Sequence, residues 1–110
     1  MTAATDSGVQ DLTELLKVLG NPVRLEMLRW LKDPRQHFPS EQLPDDPDRV
    51  GVCVTYLQAK AGLAQSTTST YLAAMERVGL VRATRVGKFV HYRRDEQRIE
   101  ELQALLADTL

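Results

Sequence analysis

A single cysteine, Cys53, is all the thiol chemistry in this chain of 110 residues. It excludes an intrachain disulfide, and one thiolate cannot by itself make a structural zinc site. The two histidines, His37 and His91, are far apart, and there is no glycine-rich phosphate loop. Nothing is arranged for nucleophilic or acid–base work, so the chain is read as no enzyme, and no cofactor is expected. No apolar run approaches the length of a membrane span. Met1-Thr2-Ala3-Ala4-Thr5-Asp6 also has no basic region followed by an apolar one, so a soluble, cytoplasmic chain is expected. Proline is scarce except within residues 33–50, which hold Pro34, Pro39, Pro44 and Pro47 beside five acids and almost no apolar periodicity. That segment reads as a solvated loop insertion in a single domain spanning 1–110, ahead of a partner-binding role, with Phe38 placed to pin its first part to the body.

Net charge is nearly absent too, but the formal value of -1 hides an asymmetry. Residues 1–50 balance to -3 and residues 95–110 to -4, while residues 51–94 carry seven cations against the lone acid Glu76, a balance of +6. A polyanion binder needs such a concentrated positive segment, which the whole-chain charge conceals.

Within that segment, Val54 to Met75 reads as a short helix, a tight turn at Gly62 and a second helix. Leu57 and Ala61 give the first helix a buried side at i, i+4 spacing, and glycine fits the left-handed position that ends it. In the second helix Leu72 and Met75, with Thr68 a turn earlier, mark the buried side. Ser66, Ser69, Thr70 and Ala73 lie opposite. A face of short hydroxyls is too short-armed for salt bridges but suits close approach to base edges and phosphates. Taken alone, the stretch fits a helix-turn-helix and a helical hairpin with a solvated face about equally well.

The flanking elements decide between them. Val9, Leu12, Leu16 and Leu19 form an apolar stripe, widened by Leu15 and Val18, in a helix ending at Gly20. Ser7-Gly8-Val9-Gln10 has capping-box spacing, with Asp6 a rival cap. Asn21 caps and Pro22 opens a second helix through Val23, Leu25, Met27, Leu28, Trp30 and Leu31, which must stop near Asp33 before Pro34. Trp30 is read as core. Gly51 to Val54 suits a short strand. Val81 to Arg85 and Phe89 to Tyr92 alternate around Val86-Gly87-Lys88, a β-hairpin with Val81, Ala83, Val90 and Tyr92 facing the core. Asp95 then caps a last helix striped with Ile99, Leu102, Leu105, Leu106 and Leu110. The fold class is therefore mostly α with a small β-hairpin (α+β). The order of two helices, helix-turn-helix, basic-tipped hairpin and final helix is that of a winged helix-turn-helix.

Leu19-Gly20-Asn21-Pro22-Val23-Arg24-Leu25-Glu26-Met27-Leu28, Ala61 to Thr67, Gly79-Leu80-Val81 and Gly87-Lys88-Phe89-Val90-His91-Tyr92 together resemble the ArsR family of bacterial repressors. The resemblance covers nearly all of the chain except 33–50. It implies a homodimer that binds double-stranded DNA at a palindromic operator and releases it when an effector binds. It implies a dimer built from the first and last helices, here through Leu12, Leu16, Leu19, Ile99, Leu102 and Leu106. Lys60, Gln65, Ser66, Thr67, Ser69, Thr70 and Tyr71, with Arg85, Gly87 and Lys88 on the wing, are the expected DNA-contacting set. The chain departs from the family pattern at Ala64, where a capping serine is usual, at Tyr71, where histidine is common, and at Ala73, where a basic residue is common.

The family's effector sites do not carry over. The Cys-x-Cys pair that holds metalloids in many members falls on Cys53 and Thr55, and a soft metalloid needs two or three thiolates. The last helix offers acids but no histidine for a tetrahedral zinc site. No metal site is therefore expected, and Cys53 is read as a small buried hydrophobe. Two alternatives remain at this point. One is a thiol-redox-responsive repressor using Cys53, and the other is a winged helix used for protein–protein contact, which a basic surface disfavours. His91 is read as a strand or DNA-proximal residue rather than a ligand.

Overall fold

The computed structural model describes residues 6–110, with side chains from Gly8 onward. Helix α1 spans Asp6–Leu19. Asp6 and Ser7, the expected caps, stand at the start of this helix, and their side chains lie outside those described. Leu12, Leu15 and Val18 enter the core, whereas Val9 and Leu16 stay 50% and 51% exposed. The stripe read from the sequence is thus wider than the face that the rest of the chain covers. The Gly20 N–H donates to the Leu16 carbonyl at 2.9 Å and closes the helix where expected. Asn21 then caps α2 (Pro22–Lys32), its Oδ1 accepting from the Val23 and Arg24 N–H groups at 2.9 and 3.1 Å. Pro22 occupies a position whose N–H would have no partner in any case. Met27, Leu28 and Leu31 of α2 are buried, and Leu25 is turned outward.

Residues 33–50 differ from the structureless loop expected. They form α3 (Pro34–His37), a 3-10 turn (Ser40–Gln42) and α4 (Pro47–Val50). Pro34 and Pro47 each open a helical turn, where a missing N–H costs nothing, and both are buried. Four-residue turns are too short to show apolar periodicity, so the composition alone pointed to a loop. Phe38 does pin the segment, buried with its ring edge-on to Trp30 at a centroid distance of 6.4 Å. The segment ends at Gly51, whose φ of +97° only glycine adopts without strain, and where a Cβ would overlap the Tyr92 carbonyl.

The remaining elements are β1 (Val52–Cys53), α5 (Val54–Ala61), α6 (Gln65–Arg77), β2 (Val81–Val86), β3 (Phe89–Arg94) and α7 (Glu96–Thr109). The sheet is antiparallel in the order β1-β3-β2, so the short strand before the helix-turn-helix joins the wing. Val81 is buried and Val90 and Tyr92 are half-buried, but Ala83, expected to face the core, is exposed. Beyond Val81 every residue of β2 is exposed except the half-buried Thr84. Asp95 caps α7 by accepting from the Arg98 N–H at 3.1 Å. Ile99 and Leu102 complete the core, Leu105 and Leu106 are half-buried, and Leu110 is exposed. A Cβ on Gly8 would lie 3.2 Å from Leu105 Cδ1, which marks how closely α1 and α7 pack. The radius of gyration, 15.0 Å, exceeds the ~13 Å of a compact domain of this size.

Candidate nucleic-acid interface

Helix α5 ends on Gly62 at φ 68°, ψ 32°, in the left-handed region, and its N–H caps the helix by donating to Gln58 and Ala59 carbonyls. The chain re-enters a helix at Gln65 with Ala64 as the cap residue, which has no side chain to offer. The inner side of α6 is set by Thr68, Leu72 and Met75, each 0% exposed. Thr68 keeps its buried hydroxyl satisfied by donating to the Ala64 carbonyl at 3.0 Å. Gln65, Ser66, Ser69, Thr70 and Ala73 are all exposed on the outer side. Thr70 donates within its own helix to the Ser66 carbonyl at 2.9 Å.

The wing turns through two residues, Gly87 (φ 63°) and Lys88, between the paired Val86 and Phe89. Arg85 and Lys88 are exposed at its tip and make no ion pair among the described residues. The same is not true of every cation in the +6 segment. Arg82 pairs with Asp95 at 2.7 Å and Arg94 with Glu96 at 2.9 Å, so the acidic last helix neutralises the root of the wing and leaves its tip charged. Arg93 is spent on the Arg49 carbonyl at 2.9 Å. Summing charge along the sequence missed this division, because the partners lie beyond the segment boundary.

Two residues of the expected DNA-contacting set have other partners. The Lys60 ammonium sits over the rings of Trp30 at 5.2 Å and Phe38 at 5.5 Å, drawn toward the 33–50 segment by the negative ring faces. Tyr71 is half-buried, its hydroxyl accepting from Asn21 Nδ2 at 3.2 Å and its ring lying under the Arg24 guanidinium at 4.9 Å. Sequence reasoning overlooked Asn21 and Arg24 in this role, since their separation from Tyr71 carries no periodic signal. Thr67 is half-buried, between the two faces of α6.

Cys53 is buried, 7% exposed, and stands opposite His91 in the β1–β3 register. His91 is half-buried, and burial lowers its pKa, with the nearby Phe89 carbonyl offsetting part of the effect. Its Nδ1 is buried with no partner in hydrogen-bond geometry among the described residues. Among the described residues no three His, Cys, Asp or Glu side chains gather as metal ligands would. No helix among the described residues is long and apolar enough to cross a membrane.

No protein-family model matches the chain. It is 44% identical over 94 residues to the uncharacterized HTH-type transcriptional regulator YbzH of Bacillus subtilis (strain 168), covering 84% of this chain and 92% of that protein. Solved structures share the fold. The homodimeric winged helix-turn-helix DNA-binding domain of Mb0332 from Mycobacterium bovis superposes with a TM-score of 0.68 at 20% identity, covering 99% of this chain and 87% of that one. An ArsR-like transcriptional regulator from Rhodococcus sp. RHA1 gives 0.67 at 18% identity, covering 92% and 80%. NolR from Sinorhizobium fredii gives 0.65 at 22% identity, covering 96% and 90%. With a helix-turn-helix regulator related along most of both chains, the chain belongs to the HTH-type transcriptional regulators, and its fold is the winged helix-turn-helix of the ArsR-like structures.

Proposed function

We propose that this regulator is a repressor that binds an inverted-repeat operator as a homodimer and leaves it when an effector binds. The observation that carries the reading is the exposed row Gln65, Ser66, Ser69 and Thr70 on α6, beside a wing tip whose Arg85 and Lys88 have no acidic partner among the described residues. Small hydroxyls and an amide exchange hydrogen bonds with base edges at short range, and free cations at the flank hold phosphates. The homodimeric state of the Mb0332 domain supports a dimer here. Three of the six apolar residues expected there are already buried within the chain. Leu12, Ile99 and Leu102 serve the core of the chain itself, so the contact falls to Val9 and Leu16, with the half-buried Leu19, Leu105 and Leu106. Two α6 helices related by a two-fold axis then enter successive major grooves, with half-sites about 10 base pairs apart. Binding to the chromosome places the protein in the cytoplasm, and no catalytic role is assigned to it.

A titration against genomic fragments at two salt concentrations tests the reading. Tight binding that weakens steeply with salt and selects an inverted repeat is the expected result. Failure to bind any fragment at low salt would favour a winged helix used for protein contact instead.

A further inference from the structure

Two contacts of Tyr71, with Asn21 and Arg24, join α6 to the start of α2 and, through Arg24, to the end of α1. Asn21 Oδ1 accepts two N–H groups of the first turn of α2, at 2.9 and 3.1 Å. Only an acceptor can take those two bonds, so the orientation of the amide is fixed and Nδ2 must face Tyr71, 3.2 Å away on α6. Arg24 completes the junction. Its Nε donates to the Val18 carbonyl at 2.7 Å and its second terminal nitrogen to the Lys17 carbonyl at 3.4 Å. These carbonyls belong to the last turn of α1, where no intrahelical donor remains. The same guanidinium lies over the Tyr71 ring, 4.9 Å from its centroid, while its N–H groups hold the α1 carbonyls, a combination that a lysine would not reproduce. The ring therefore has one face occupied, its hydroxyl engaged, and only an intermediate exposure, which leaves it poorly placed to swing toward a base.

We propose that Asn21, Arg24 and Tyr71 form a strut that sets the angle of α6 against the corner between α1 and α2. Tyr71 is then a positioning residue for DNA reading and not a reader. The inference rests on the proposed function for its DNA consequence, but the strut itself is a property of the free protein. It also gives α1, which carries the exposed Leu16, a direct mechanical link to α6, because Arg24 holds the end of one helix and a side chain of the other.

The test uses Tyr71→Phe, which keeps the ring under Arg24 and removes the acceptor for Asn21. It is paired with Asn21→Ser, which keeps a capping hydroxyl too short to reach α6. Backbone residual dipolar couplings on the free protein report the angle between α6 and α2. Affinity is read on a duplex selected by the wild-type protein from a random-sequence pool, together with every single-base variant of that duplex. Each substitution is expected to disturb the α6 couplings and to weaken binding roughly 3- to 10-fold, the scale of one hydrogen bond, equally across base variants. The double variant should lose no more than either single one, since both remove the same contact. Unchanged couplings would overturn the strut. So would a loss confined to one base pair in Tyr71→Phe with Asn21→Ser silent, which would make Tyr71 a reader. If the wild type selects no duplex, the proposed function fails, and the couplings alone uphold or overturn the strut.

Discussion

Arg82 Nε donates to Asp95 Oδ2 at 2.7 Å, so one carboxylate both caps α7 and holds a cation at the root of the wing. The Arg98 backbone N–H, followed by the Arg82 side chain, holds this carboxyl below its ordinary value of 3.8. A depressed folded-state pKa contributes stability that is complete above the unfolded value and lost as pH falls through the folded one. Thermal melts should therefore show this contribution intact at pH 6 and fading below about pH 4. Asp95→Asn keeps a good cap without a titrating group and should flatten that acid limb. An acid limb as steep as the wild type's would place the effect on other carboxylates.

Gly51 is the tightest backbone constraint in the chain. Its φ of +97° and the Tyr92 carbonyl against it both forbid a side chain, and that neighbour is backbone that cannot give way cheaply. Gly51→Ala should destabilise the protein by more than about 2 kcal/mol, adding backbone strain to overlap. Gly62→Ala, at φ +68° with open space around it, should cost only about 1–2 kcal/mol from conformation alone. Denaturant midpoints of the two variants check the order.

The proposed dimer contact and the core should separate at two leucines. Leu16 is 51% exposed on α1, and Leu102 is 2% exposed within the core. Leu16→Glu should leave the melting temperature of the chain near that of the wild type while shifting sedimentation to the monomer and weakening DNA binding. Leu102→Ala should instead cost about 2–5 kcal/mol of stability by opening a cavity. A Leu16→Glu protein that stays dimeric would move the interface elsewhere.

Most of the fold was legible in the sequence because its punctuation is chemical. Asn21-Pro22, Gly62, Gly87 and Asp95 each mark an end or a turn by a local requirement, and each sits where expected. Burial was less legible. Periodicity shows which side of a helix is apolar but not how much of that side the chain itself covers, so Leu12 and Leu16 looked equivalent. The 33–50 turns escaped because they are shorter than any period. At the candidate site, the exposed row of α6 follows from helical spacing alone, while the engagement of Lys60 and Tyr71 depends on aromatic and amide partners brought in by tertiary packing.

Effector response should not run through arsenite or zinc. Cys53 is the sole thiol and is buried, and its neighbour across the sheet, His91, makes at most a second donor. Stoichiometric arsenite or zinc should leave operator affinity unchanged, and Cys53→Ser should still bind the operator. A tenfold loss of affinity on adding either ion would mean that ligands are assembled from elsewhere, for example across two protomers.

The roles of wing and recognition helix are distinguishable in the same binding assay. Lys88 and Arg85 stand at the wing tip and make no ion pair among the described residues, while Gln65 and Ser69 lie on the outer face of α6. A phosphate contact is blind to sequence and releases counterions, so its loss weakens every duplex alike and lowers the salt slope by about 0.9. A base contact leaves the slope alone and is worth roughly 1–3 kcal/mol at one position. Lys88→Ala should therefore flatten the dependence of affinity on salt and keep the base preference of the wild type. Gln65→Ala or Ser69→Ala should keep the slope and blur preference at particular bases. The two signatures are opposite, so each variant checks the other. If Lys88→Ala leaves both affinity and salt slope untouched, the wing does not reach the DNA, and the cations that hold phosphates must be sought among Arg77 and the residues flanking α6.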